Sequence, residues 1–233
     1  MTAAAGERDD PPPRRTLYGR RRGKALRAGQ ERLLAEALPR FSIVPDALAA
    51  GRAFAAPPRE IWLEIGFGAG EHLVAQAKAN PDVGVIGCEP FLNGVVAALA
   101  GVELERLANV RLRRGDAQGL VEAVPDGFFS RVFLLYPDPW PKRRHHKRRV
   151  VGAAMIEALA RVMRRGAELR FVTDIDDYAG WTLARFLASP HFRWIATRAD
   201  DWRRPWPGWR PTRYEAKARK EGRGSVYLTF VRL

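Results

Sequence analysis

A doubly wound α/β domain with a seven-stranded, mostly parallel sheet is what this 233-residue chain predicts. Three observations carry that expectation. Short apolar runs alternate with helical stretches from residue 60 onward, the pattern of strands covered by helices on both faces. A glycine-rich turn, "GFGAG", follows the first apolar run. Acids then recur at the ends of the first three runs, where an open α/β sheet gathers its ligand contacts.

Taken in order, "EIWLEI" (60–65) reads as a buried strand, and the glycine turn leads into a helix over 70–79. "VGVIGC" (83–88) is a second strand, followed by a helix over 92–107. "VRLRR" (110–114) is a third, with a short helix at 117–123. "RVFLLY" (131–136) is a fourth, and a helix spans 148–163. "ELRFVT" (168–173) is a fifth, and "IDDYAGWTLARFLA" continues as a helix. "FRWIAT" (192–197) and "SVYLTFVR" (225–232) complete the seven. No clear helix separates these last two, so an antiparallel return of the final strand is expected.

Ahead of the domain, residues 1–13 are small, charged and proline-rich and predict disorder. Residues 14–40 hold nine Lys/Arg against two Glu, with "YGRRRGK" at the centre and a short helix through "QERLLAEAL". The expected division is a disordered, basic arm over 1–40 and one domain over 41–233. Forty Lys/Arg against 26 Asp/Glu give a formal net charge of +14. That charge points to a polyanionic partner, and seven Trp among clustered Arg favour nucleic acid over an anionic membrane. The lone Cys88 excludes an intrachain disulfide, and no Cys/His set has zinc spacing. No apolar run reaches the length of a membrane span, so a cytoplasmic protein without metal is expected, as monomer or homodimer.

The candidate site starts with Gly66, Gly68 and Gly70. Their spacing is G-x-G-x-G, and Glu71 stands where a nicotinamide-dinucleotide fingerprint wants a further glycine. A carboxylate there would repel a pyrophosphate. Glu64 can order the turn or attract an ammonium group. Glu89 can accept both hydroxyls of a ribose, and Asp116 can accept from an exocyclic amine or cap the helix behind it. The fourth strand ends in "YPDPWPK", where Pro137 and Pro139 restrict the backbone on either side of Asp138. Trp140 offers a face for stacking. Six Lys/Arg among residues 142–149 follow. Cations opening a helix oppose its dipole, which argues that they serve an anion.

From Glu64 to about Asp138 the set resembles the class I S-adenosylmethionine-dependent methyltransferases. The resemblance sharpens with "LEIGFGAGEHL", "GCEP", "RGDA", "YPDPWPKRRHHKRRVV", "FVTDIDDYAGW" and "TRYEAKARKEG" in that order. Over roughly residues 58–233 the chain is similar to the bacterial tRNA (guanine-N7-)-methyltransferases, and its "YGRRRGK" arm is family-like too. That resemblance implies methyl transfer from S-adenosylmethionine to N7 of the variable-loop guanine 46 of tRNA. By motif, Glu64, Glu89, Asp116 and Asp138 would bind the donor beside Gly66, Gly68 and Gly70, with Asp138 also at the catalytic position. Lys142, Asp174, Thr212, Arg213, Tyr214 and Glu215 would contact substrate. Arg144, His145, His146, Lys147, Arg148 and Arg149 would face the RNA.

The residues themselves leave local readings beside these. Asp174 can cap the following helix, and "TRYE" fits an S/T-x-x-E capping box. "DDWRRPWPGWRP" can stack bases or pack as a loop. A non-catalytic RNA-binding protein on the same scaffold would not need four intact acids. An enzyme methylating an exocyclic amine would use a (D/N)-P-P-(Y/W) turn loosely like "PDPW", and would have to remove a proton.

Overall fold

The computed structural model describes residues 18–43, 47–48 and 51–233; the disorder expected of residues 1–13 falls outside them. The strands are β1 (Glu60–Ile65), β2 (Val83–Glu89), β3 (Val110–Arg114), β4 (Phe129–Leu135), β5 (Met163–Thr173), β6 (Phe192–Trp194) and β7 (Val226–Arg232). They form one sheet in the order β3-β2-β1-β4-β5-β7-β6. β1 pairs with β2 and β4 in parallel, as do β2 with β3 and β4 with β5. β7 is antiparallel to both neighbours, which is the expected return of the last strand. β2 is buried along its whole length, as a strand covered on both faces must be. β3, at the edge, alternates buried Val110 and Leu112 with its arginines.

The helices are α1 (Ala28–Phe41), α2 (Glu71–Ala79), α3 (Leu92–Leu104), α4 (Gln118–Ala123), α5 (Ala153–Val162), α6 (Asp176–Leu187), α7 (Asp200–Arg203) and α8 (Arg213–Lys220). One face of the sheet is covered by α1, α2 and α3, whose Phe41, Leu73 and Leu99 join Trp62 and Val85 in one core cluster. The other face is covered by α4, α5 and α6, whose Leu120, Ile156 and Phe186 pack with Leu63 and Ile86. Because β2 and β3 extend outward from β1 and β4 then returns beside it, the winding reverses between β1 and β4. The crevice beyond their carboxyl ends is the place where such a sheet holds a ligand.

Two expectations change. The helix through "QERLLAEAL" is longer, Ala28–Phe41, and buries Ala37 and Phe41 on the domain. The boundary drawn at residue 40 therefore falls within a helix packed on the sheet. The helix expected over 148–163 is shorter, α5 at Ala153–Val162, and the cationic run before it forms a separate 3-10 turn at Arg143–Arg148. Arg149 between them is extended, at φ −60° and ψ 135°. Arg149 turns inward as a tertiary anchor, which interrupts the helix. The argument from cations at a helix start loses its basis, since the run occupies a 3-10 turn.

Candidate active site

At the tip of β1, Gly66, Gly68 and Gly70 all hold positive φ, at 74°, 58° and 81°. Such angles favour glycine, and they fold the chain tightly enough to bring the Gly68 amide to Glu89. Glu89 Oε2 accepts from Gly68 N at 2.7 Å and Oε1 accepts from Phe91 N at 2.9 Å. Burial raises its carboxyl above the ordinary range, and the two amides work against that shift. α3 closes in from above: a Cβ on Gly94 would lie 2.3 Å from the Gly68 carbonyl oxygen.

At the tip of β4, Asp138 stands between Tyr136 at φ 49° and Trp140 at φ 44°, both left-handed without being glycine. Backbone held in that region by the surrounding structure is typical of functional turns. Asp138 has no hydrogen-bond partner among the described residues. It keeps one solvent-exposed side, yet the wall packed around it raises its carboxyl above the usual aspartate range. A cavity of about 500 Å³ joins the two tips, lined by Gly66, Gly68, Glu89 and Asp138 and, on its far rim, by Arg213 and Tyr214.

The other expected residues divide. Glu64 lies behind the glycine turn, 2% exposed, with Oε2 2.7 Å from Nδ1 of the equally buried His72. It orders the turn and does not line the cavity. Asp116 Oδ1 accepts from Gln118 N at 3.0 Å at the start of α4. It borders a second cavity of about 380 Å³, which shares Tyr18, Arg148 and Val150 with the first. Asp174 is paired with Arg223 Nε at 2.7 Å.

"TRYE" splits by side. Thr212 caps α8 through Oγ1, which accepts from Glu215 N at 3.3 Å. Glu215, 1% exposed, does not close the capping box. Its carboxylate accepts instead from Trp209 Nε1 at 2.7 Å, from Tyr227 Oη at 3.3 Å and from Arg219. Only Arg213 and Tyr214 face the cavity, Tyr214 stacked on Tyr136 with centroids 6.2 Å apart. Direct substrate contact by Thr212 and Glu215 is therefore replaced by a structural role. Trp206 and Trp209 pack edge-on against each other and Tyr227, so that loop is an inner wall.

The basic run divides as well. Lys142, Arg143, Arg144 and Lys147 are exposed. Arg149, expected on the RNA surface, is 5% exposed. Its Nε donates to Pro139 O at 2.8 Å, its guanidinium bonds Asp177, and it lies 4.7 Å from the Tyr178 ring centre. That arrangement fixes the proline turn from below. His146 is half-buried with its ring edge-on to Trp181 at 5.1 Å. His145 sits below the usual histidine range, through burial first and then its cationic neighbours. Arg148 lies 4.9 Å from both the Tyr18 and Trp140 ring centres, covering the indole face expected to be free.

Sequence reasoning passed over Tyr18, Gly19 and Arg20, which line the cavity, because "YGRRRGK" reads as the centre of a basic arm ahead of the domain. The Tyr-Gly pair opening that run is the signal that could have found them. It also passed over Gly94, whose position four residues after Pro90 carries no local mark. Among the described residues no three His, Cys, Asp or Glu side chains gather as a metal site.

A sheet reversing between β1 and β4, with a glycine turn and an acid-bearing proline turn at those tips, defines a Rossmann-like methyltransferase scaffold. Residues 58–228 match the family described as "Putative methyltransferase". A 16S rRNA (adenine(1408)-N(1))-methyltransferase from Catenulisporales acidiphilia shares the fold at TM-score 0.53 and 17% identity, over 82% of this chain and 92% of that one. Curated tRNA (guanine-N(7)-)-methyltransferases are far nearer in sequence. The one from Azorhizobium caulinodans (strain ORS 571) is 52% identical, over 93% of this chain and 95% of its own. The one from Rhodopseudomonas palustris (strain BisB5) is 50% identical, over 94% and 86%. The chain belongs to the tRNA (guanine-N7-)-methyltransferase family.

Proposed function

We propose that the protein methylates N7 of guanine 46 in the variable loop of tRNA, using S-adenosylmethionine, in the cytoplasm. The observation that carries this reading is Asp138, a carboxylate without a hydrogen-bond partner among the described residues, on a strained turn, sharing one cavity with Glu89, Arg213 and Tyr214. The residues suit an adenosyl donor: Glu89, fixed by two amides, has lone pairs left for a ribose diol, and Asp116 borders the adjoining cavity with an acceptor for an exocyclic amine. S-adenosylmethionine, when bound, supplies a sulfonium-activated methyl group.

Guanine N7 carries a free lone pair and no proton, so the chain need not provide a base for it. What it must provide is position and charge. Tyr214, stacked on Tyr136, gives the base an aromatic wall. Asp138 stabilises the positive charge that develops on the guanine ring and accepts from its Watson–Crick donors. Holding both partners in one cavity supplies most of the acceleration through proximity. Exposed Lys142, Arg143, Arg144 and Lys147 neutralise phosphates of the RNA. Glu64 contributes to donor binding through the turn it braces with His72.

The test is incubation with S-adenosylmethionine and total tRNA lacking the modification, with nucleoside analysis and N7-specific strand scission of the product. The reading predicts 7-methylguanosine at position 46. A methylated exocyclic amine, or no transfer to tRNA, would overturn it.

A further inference from the structure

Residues Tyr18–Lys24 are tied to the start of α3 by three hydrogen bonds. Gly23 N donates to Asn93 Oδ1 at 2.7 Å, Asn93 Nδ2 donates to Lys24 O at 2.9 Å, and Leu92 N donates to Arg21 O at 3.0 Å. The fit at this anchor is close: a Cβ on Gly23 would lie 2.8 Å from Asn93 Oδ1 and 3.0 Å from Phe91 Cζ. From there the segment runs back across the cavity. The Arg20 guanidinium lies 5.5 Å from the Phe91 ring centre. Gly19, at φ +116°, passes so near the catalytic turn that a Cβ would sit 3.2 Å from Asp138 Oδ2. Tyr18 meets Trp140 edge-on at 6.3 Å.

Arg148 is clasped between Tyr18 and Trp140, and its Nε is buried without a hydrogen-bond partner. Its place therefore depends on the two rings. Because Tyr18 and Arg148 border both cavities, they stand between the Glu89 end and the Asp116 end of the crevice. The cations of the segment stay exposed, while its glycines and backbone make the contacts at Asn93 and Asp138, so the close fit serves the cavity and not the phosphate-seeking charges.

We propose that Tyr18–Lys24 forms a wall of the donor site, and that Asn93 is a positioning residue that keeps this wall against the bound donor and Asp138. The inference deepens the function proposed above and rests on it, in taking the cavity's ligand to be an adenosyl donor. Releasing the wall would loosen the donor and uncover the side of Asp138 that Gly19 lies against, letting its carboxyl relax toward an ordinary aspartate.

The experiment uses the full chain and calorimetric titration with S-adenosylhomocysteine, for the unmodified protein, Asn93→Ala, Gly23→Ala and the double variant. Each single variant should bind about tenfold more weakly: Asn93→Ala loses two hydrogen bonds to the segment, and Gly23→Ala, which keeps its amide donor, pushes Asn93 and Phe91 aside with its Cβ. The double variant should be no weaker than the singles, because both act at one anchor. In methyl transfer, the acid limb of kcat should move to lower pH in the variants and stay in place in Glu215→Ala, a destabilised variant whose lesion is away from the wall. Gly23→Ala lies outside every helix and strand, so it keeps the test open should Asn93→Ala fold poorly. Unchanged or tighter binding in the variants, with the unmodified protein binding normally, overturns the wall. Failure of the unmodified protein itself to bind overturns the donor reading instead.

Discussion

Asp138 combines the lack of a hydrogen-bond partner among the described residues, a strained turn and a carboxyl raised by its surroundings. Asp138→Asn keeps the shape and removes the charge, so kcat should fall by roughly 10²–10³, the range for deleting one preorganised electrostatic contact. Steady-state kinetics with saturating donor and tRNA measures this, and full turnover would discard the charge-stabilising role. The pH dependence follows from the same group. In the proposed role the ionised form is the active one, and its folded pKa is raised, so activity should be present above that pKa and lost as pH falls through it. The acid limb of kcat/KM should therefore lie above the pH at which an ordinary aspartate titrates. "TRYE" makes a second contrast. Tyr214→Ala should lower tRNA turnover and leave unfolding unchanged. Glu215→Ala strands the buried donors of Trp209 and Tyr227 and should cost about 2–3 kcal/mol in a denaturant titration. The motif marked a segment that reaches the cavity through Arg213 and Tyr214, but it could not say which side chains turn inward. Burial of positions 212 and 215 against exposure of 213 and 214 is decided by how α8 docks over Trp209 and Tyr227.

The segment after β4 shows what a local pattern conveys and what it omits. "RVFLLY" announces a buried strand, and the prolines announce its end. The helical periodicity of "AAMIEALARV" extends back into the arginines only if those arginines are solvated. Arg149 is not, and its bonds to Pro139 and Asp177 hold it extended. Tertiary contacts of that kind have no signature in a charge run, where buried and exposed cations look alike. The same ambiguity hid Tyr18–Lys24. By contrast the mostly parallel sheet and the antiparallel return of its last strand were legible, because strands alternate with helices until the final pair, which no clear helix separates. A paired measurement separates the two kinds of arginine. Arg149→Ala should lower stability by about 2 kcal/mol through lost packing and a lost hydrogen bond. Arg143→Ala should unfold like the unmodified protein and weaken tRNA binding. Equal stability losses in both would refute the division.

Across the whole molecule, a net charge of +14 makes association with RNA a matter of counterion release. tRNA affinity should fall steeply with salt, and replacing one of Lys142, Arg143 or Lys147 by Ala should reduce the log–log slope by about one. Filter binding over a salt series measures it, and an unaltered slope for all three would remove the run from the interface. The same molecule carries a single sulfur nucleophile, Cys88, on β2 next to Glu89, fully enclosed, with burial pushing its thiol up to about 12. A thiol so protonated and so covered is a poor target for peroxide or for mixed-disulfide formation. Methyl transfer should persist unchanged after treatment with hydrogen peroxide or glutathione disulfide, and inactivation traced to Cys88 would show the strand to be less closed. Modification of tRNA by this protein would then continue through an oxidative burst that silences enzymes dependent on an open thiolate.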